Sequence, residues 1–168
     1  VDVALEICGS LGDSRPVRIV DVGTGSGAIA IAVAKHCPNA VVYATDVSSG
    51  ALRVADVNRH RHGVRDRVHL LKADLLEPFG PSVDIIVSNP PYVTQDDKLL
   101  MSKNVISYEP HIALFVKEND PLFFYKKILN LNKVNIFSNC IRVPIEYGHS
   151  LSVFVQTSMN CDIDIIKN

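Results

Sequence analysis

Val17-Arg-Ile-Val-Asp-Val-Gly-Thr-Gly-Ser-Gly27 changes character at its middle: a β-branched run gives way to three glycines on alternate positions. Val and Ile at that density read as a short buried strand. The glycines let the backbone turn with positive φ and let a ligand lie against bare peptide groups. Ala28 to His36 follows and is apolar nearly all round, as a helix packed on a sheet would be. The glycine pattern is G-x-G-x-G, not the G-x-G-x-x-G of dinucleotide enzymes. That tighter spacing suits a ligand with no pyrophosphate to seat on the helix N-terminus.

Working outward, Val1 to Leu11 reads as the end of an amphipathic helix stopped by Gly9 and Gly12. Ala40 to Asp46 is a second strand. Ser48 or Ser49 caps a helix running to about His62, and Gly63 ends it. Arg67 to Lys72 is a third strand and Val83 to Ser88 a fourth. Short alternation of this kind predicts an α/β fold, a mostly parallel doubly wound sheet with helices on both faces. Pro121 opens a helix over 122–131. Ile141 to Tyr147 and Cys161 to Ile166 read as further strands, the former weakened by Pro144.

The chain of 168 residues is sized for one domain, and 47% hydrophobic with 21% charged residues is ordinary for a globular protein. A net charge of −1 advertises no nucleic-acid partner and argues against direct nucleic-acid binding. Seven of the eight arginines precede residue 68, and Arg59, Arg61, Arg65 and Arg67 read as a solvated helix end and turn. Cys8, Cys37, Cys140 and Cys161 are scattered without a CxxC pair. That spacing suits neither a zinc site nor a dense disulfide framework and favours a reducing compartment. No apolar run has the ~18 residues of a membrane span. The chain opens on Val1 and reads as an excised piece of a longer protein. From Asn119 to Asn168 the composition shifts: seven of the eleven asparagines lie there, and no alanine.

Two acids extend the glycine loop into a site. Asp46 ends the second strand, where a carboxylate can accept hydrogen bonds from both hydroxyls of a ribose. Asp74 ends the third, in Lys72-Ala-Asp-Leu75. Three strands thus carry a glycine loop or an acid at the edge where open α/β sheets bind ligands. Ser88-Asn-Pro-Pro-Tyr92 follows the fourth strand at that same edge. Successive prolines fix φ and supply no N–H, so the carbonyls of Asn89 and Pro90 are held rigidly. An amide or aryl amine nitrogen is a poor nucleophile because its lone pair is delocalised. The Asn89 side-chain oxygen and the Pro90 carbonyl can together accept both N–H hydrogens and aim that nitrogen. Pro91 stiffens the turn, and Tyr92 offers a flat face on which a planar group stacks.

Asp21 to Gly27, Asp46 and Asp74-Leu75 together resemble the class I methyltransferases, whose fold is a Rossmann-like sheet. The resemblance implies S-adenosyl-L-methionine as cofactor. Asp21, Gly23, Thr24, Gly25, Ser26 and Gly27 would form its first motif, with Asp21 near the methionine ammonium. Asp46 would serve as the ribose acid, Asp74 and Leu75 as the adenine edge, and Asn89 would lie beside the methyl donor. Asn89-Pro-Pro-Tyr92 resembles the signature of N-methyltransferases that act on glutamine amides or on the exocyclic amines of nucleic-acid bases. Asp21 to Ala34, Val83 to Tyr92 and Tyr108-Glu-Pro-His-Ile-Ala-Leu-Phe115 together look like the protein-glutamine methyltransferases of translation release factors.

That family implies a substrate, the glutamine of the Gly-Gly-Gln loop in class I peptide chain release factors. Asn89, Pro90, Pro91 and Tyr92 would hold it, with Asn89, Pro90 and Tyr92 carrying the catalysis by positioning. Glu109 would order its loop, and His111 is read as a surface or structural residue. The compartment implied is the cytoplasm, or the mitochondrion in a eukaryote. Against the family pattern, residues 1–168 form the methyltransferase domain without the helical docking domain, 119–168 diverge, and the last, antiparallel strand is expected to be missing. Asn135 to Asn139 stands where the family has a glycine-bearing turn. The alternatives are a methyltransferase for a ribosomal-protein glutamine or a nucleic-acid amine, and a non-catalytic cofactor-binding remnant.

Overall fold

The structure, a computed structural model, describes residues 1–11, 15–77, 83–97, 110–116, 119–121, 123–131, 136–140 and 152–156, those beyond Ile128 by backbone alone. Its elements are α1 (Asp2–Ser10), β1 (Val17–Val22), α2 (Ala28–His36), β2 (Ala40–Asp46), α3 (Ser49–Arg61), β3 (Val68–Lys72), β4 (Ile85–Ser88), α4 (His111–Leu114), α5 (Phe123–Leu131), β5 (Ile136–Cys140) and β6 (Ser152–Gln156). The sheet order is β3-β2-β1-β4-β6-β5. The first four strands are parallel, and β6 runs antiparallel to both β4 and β5. No described helix is long and apolar enough to cross a membrane.

The expected strand–helix alternation over residues 17–72 is present, and its strands are apolar for a physical reason. Parallel strands are covered on both faces, so neither alternate set of side chains is free to be polar. Val17 and Ile19 pack with Ala4, Cys8, Ala30, Val33 and Ala34 beneath α1 and α2. Val20 and Val22 face the other way, with Ile86, Leu76 and Ile128 of α5. Burying one such aliphatic side chain contributes about 1.5–3 kcal/mol.

Several local readings change. Gly9 lies inside α1, which ends at the right-handed cap Leu11; one glycine lowers helix propensity without halting a packed helix. Gly12 falls outside the described residues. Ser48, not Ser49, caps α3, its hydroxyl accepting the Ala51 N–H at 3.2 Å. The scattered cysteines conceal a pair: Cys8 of α1 and Cys37 at the end of α2 are joined by a disulfide, 29 residues apart in sequence. The fold, not the spacing, brings them together. Two of the clustered arginines are structural rather than solvated. Arg67 donates to the carbonyls of Ala34 and Cys37, closing the C-terminal end of α2, and Arg59 donates to the Val68 carbonyl at 2.5 Å.

Residues 136–139, standing where the family has a glycine-bearing turn, belong to strand β5, and β6 lies between it and β4. Pairing overrides the weak strand propensity of Ser138 and Asn139. The strands read at 141–147 and 161–166 lie outside the described residues.

This topology places the site. The chain moves from β1 to β2 and β3 on one side, then crosses back to β4 on the other. The reversal falls between β1 and β4, where open α/β sheets leave a crevice at the strand C-termini. Val22 is in register with both Thr45 and Ser88. Gly23, Asp46 and Asn89 therefore leave three adjacent strands at one level.

Candidate active site

Asp21 is fully buried, pointing from β1 under the start of α2. Its Oδ2 accepts the Thr24 hydroxyl at 2.6 Å and the Ala30 N–H at 3.1 Å. Its Oδ1 has no partner among the described residues. Burial is the main force on this carboxyl and raises its pKa from 3.8 to about 6; the bonds from Thr24 and Ala30 oppose the rise, and the nearby Asp46 adds to it. At neutral pH the site therefore holds a buried anion with one oxygen unsatisfied, which a cationic or hydrogen-bonding ligand would complete.

Above it runs the glycine loop, with Gly23, Gly25 and Gly27 at φ +70°, +57° and +82°. Only two of the three face empty space. A Cβ on Gly23 or Gly25 would meet nothing within 4 Å, whereas one on Gly27 would lie 3.1 Å from the Ala55 Cβ and 3.2 Å from Ile31 Cδ1. Gly27 is small so that α3 can pack close. Gly25 is small beside open space at the sheet edge, the arrangement a ligand-cradling backbone needs. Ser26 turns its carbonyl toward α3, where it accepts Asn58 Nδ2–H at 2.9 Å.

Asp46 closes the loop from β2. Its Oδ2 accepts the Gly25 N–H at 2.9 Å and its Oδ1 the Ser48 N–H at 2.8 Å, leaving each oxygen a further lone pair. Beyond β3, Asp74 is exposed, and Leu75 takes a left-handed φ of +54° that only glycine adopts freely. The Leu75 carbonyl accepts the buried Thr45 hydroxyl at 3.3 Å.

From β4, the Ser88 hydroxyl donates to the Val22 carbonyl at 2.8 Å and ties the two strands that flank the crevice. Asn89 comes next, its Oδ1 buried and, like Asp21 Oδ1, without a partner among the described residues. Pro90 is buried, and Pro91 and Tyr92 are half-buried. The exit of the tetrapeptide is pinned: Val93 N–H donates to the Leu114 carbonyl at 3.1 Å, and Val116 N–H to the Val93 carbonyl at 3.0 Å. The Thr94 hydroxyl donates to Asp97 at 2.7 Å.

The residues singled out in the sequence thus gather at one sheet edge, with Gly27 serving packing. Glu109 lies outside the described residues. His111 is exposed and stacks edge-on to Phe115 at 5.4 Å. Three residues that the sequence reading passed over hold the site's loops: Thr45, Ser88 and Asn58. Thr45 and Ser88 carry a sequence signal, each a hydroxyl in an otherwise apolar strand. Among the described residues, the edge presents a buried carboxyl, a half-buried carboxylate, a bare glycine backbone and a buried amide oxygen without a donor. Such a set suits positioning a polar ligand and an N–H donor.

Comparison with known proteins agrees with this geometry. The chain is 47% identical over 127 residues to a release factor glutamine methyltransferase of Flavobacterium psychrophilum, covering 74% of this chain and 44% of that one. The corresponding protein of Bacteroides thetaiotaomicron is 38% identical over 157 residues, covering 90% and 56%. A bifunctional methyltransferase of Rickettsia typhi is 45% identical over 151 residues, covering 86% and 29%. The chain spans about half the length of the first two relatives or less. Among solved structures, the fold is similar to the human METTL16 catalytic domain bound to a MAT2A 3′UTR hairpin, with TM-score 0.62, 15% identity and coverage of 95% and 68%. It is also similar to precorrin-6y C5,15-methyltransferase from Geobacter metallireducens, with TM-score 0.52, 17% identity and coverage of 94% and 88%. The profile of the methyltransferase small domain matches residues 8–110, more than half of the 168-residue chain, and the chain belongs to that family.

Proposed function

We propose that the chain transfers a methyl group from S-adenosyl-L-methionine to the side-chain amide nitrogen of the Gly-Gly-Gln glutamine in class I peptide chain release factors. The observation that carries this reading is Asn89 Oδ1, a buried acceptor without a partner among the described residues, on a backbone stiffened by two following prolines. The names of relatives 38–47% identical supply the acceptor class.

The residues present fit the cofactor. Asp21 offers its free oxygen to the methionine ammonium, and Asp46 its remaining lone pairs to the ribose hydroxyls. The backbone of Gly23, Thr24, Gly25 and Ser26 leaves open space for the ligand, with Gly27 holding the loop against α3. Asp74 and Leu75 border the adenine. When bound, S-adenosyl-L-methionine supplies an electrophilic methyl group on a sulfonium that is already a good leaving group.

The chain's own task is then positioning. Asn89 Oδ1 and the Pro90 carbonyl accept the two amide N–H hydrogens, which orients the nitrogen and lets it pyramidalise; the one proton it sheds on methylation is released to solvent. Tyr92 packs on the planar amide, and Pro91 keeps the turn rigid. Such an acceptor places the work where translation terminates, in the cytoplasm or the mitochondrion. The test is transfer of labelled methyl to a recombinant class I release factor. Label should appear in the intact factor and disappear when its Gly-Gly-Gln glutamine is replaced by alanine. Equal label in that control would remove the proposed acceptor.

A further inference from the structure

We infer that Asn58 of α3 is a positioning residue for the cofactor loop, setting the orientation of the Ser26–Gly27 peptide. The inference rests on the cofactor reading above. The Ser26–Gly27 peptide turns about Ser26 ψ and Gly27 φ, and Gly27, at φ +82°, tolerates either sign of φ, so the plane can flip at little steric cost on that side. Here the plane is held at both ends. Its carbonyl accepts Asn58 Nδ2–H at 2.9 Å, and its N–H, on Gly27, donates to the Thr24 carbonyl at 3.0 Å.

The Thr24 end is local to the loop and moves with it. Among the described residues, Asn58 alone ties the plane to a separate element, and α3 is itself anchored. Ala55, one turn earlier on the same helix face, is fully buried against Gly27. At the start of α3, Ser48 N–H donates to the same Asp46 carboxylate that accepts Gly25 N–H. Helix α3 therefore grips the loop at Gly25 through Asp46, at Gly27 through Ala55, and at Ser26 through Asn58. The first two contacts fix distance; the third fixes which way the peptide faces. A loop already turned to its bound orientation avoids an ordering cost on binding, so Asn58 acts on affinity for the cofactor.

The test compares Asn58→Ala with the isosteric Asn58→Asp, which keeps shape but loses the donor and sets an anion against the Ser26 carbonyl. Affinity for S-adenosylhomocysteine is measured by calorimetry, and Tm by thermal unfolding. The wild type should bind, Asn58→Ala should bind roughly tenfold more weakly, as loss of one hydrogen bond implies, and Asn58→Asp more weakly still. Retained cooperative unfolding in either variant shows that the loss is not one of folding. Wild-type affinity in both variants, with or without a lowered Tm, would reduce Asn58 to a structural bond and overturn the inference. A wild type that binds no S-adenosylhomocysteine would overturn this inference together with the cofactor reading.

Discussion

At the scale of single residues, Asp21 makes pH a probe of the site. Its folded pKa of about 6 exceeds the ordinary 3.8, so between these values the folded state holds the proton more tightly than the unfolded one. Its contribution to ligand-free stability is full below pH 3.8 and is lost as pH rises through about 6. On the proposed cofactor reading, ligand binding runs the other way, since an ammonium needs the ionised form. Calorimetry should show affinity for S-adenosylhomocysteine falling up to about tenfold per pH unit below that pKa, with the slope absent in Asp21→Asn. A flat profile in the wild type would contradict this role. The glycines separate by consequence. Gly27→Ala, with its Cβ 3.1 Å from that of Ala55, should destabilise by about 1–3 kcal/mol in denaturant unfolding. Gly25→Ala has open space, so its larger effect should be on ligand affinity. The gathering of Asp21, the glycines, Asp46 and Asn89 at one sheet edge was legible in the sequence, because each stands at or just past the end of a strand. Asn58 was not, because a mid-helix asparagine reads as a solvated polar residue until the helix is docked.

At the scale of elements, strands β1 and β2 and helix α2 fall where the sequence puts them, because β-branched runs and an all-apolar helix leave one reading. The arginine cluster shows the limit of such reading. Charge along a chain says nothing of which carbonyls lie nearby, and Arg67 turned out to close the end of α2. Arg67→Ala leaves two carbonyls without this donor and should lower stability by about 1–2 kcal/mol in denaturant melts; an unchanged midpoint would show that water replaces it. Likewise Ser48→Ala should cost about 1 kcal/mol through the lost cap of α3. Cys8 and Cys37 met for the same reason that Arg67 found its partners: long-range proximity is a property of the packed sheet.

At the scale of the whole molecule, the parallel half of the sheet was readable and the antiparallel end was not. Neither Ile136–Cys140, whose Ser138 and Asn139 disfavour strands in isolation, nor Ser152–Gln156, a Val-Phe-Val run between polar ends, was read as a strand. Register with β4 decides, and register is not written locally. Ending the chain at Leu131 would leave Ile85–Ser88 as an open edge. Such a protein should self-associate on gel filtration, and a monomer of unchanged Tm would show β5 and β6 to be dispensable. On the proposed reading, the crevice between β1 and β4 brings an amide nitrogen to a methyl donor through Asn89. This role of Asn89 is tested most directly by fragment-ion mass spectrometry of a class I release factor after incubation with cofactor and either wild type or Asn89→Ala. The account predicts one added methyl on the Gly-Gly-Gln glutamine with the wild type and none with the variant, although both bind S-adenosylhomocysteine. Methylation at another residue, or undiminished methylation by Asn89→Ala, would contradict it.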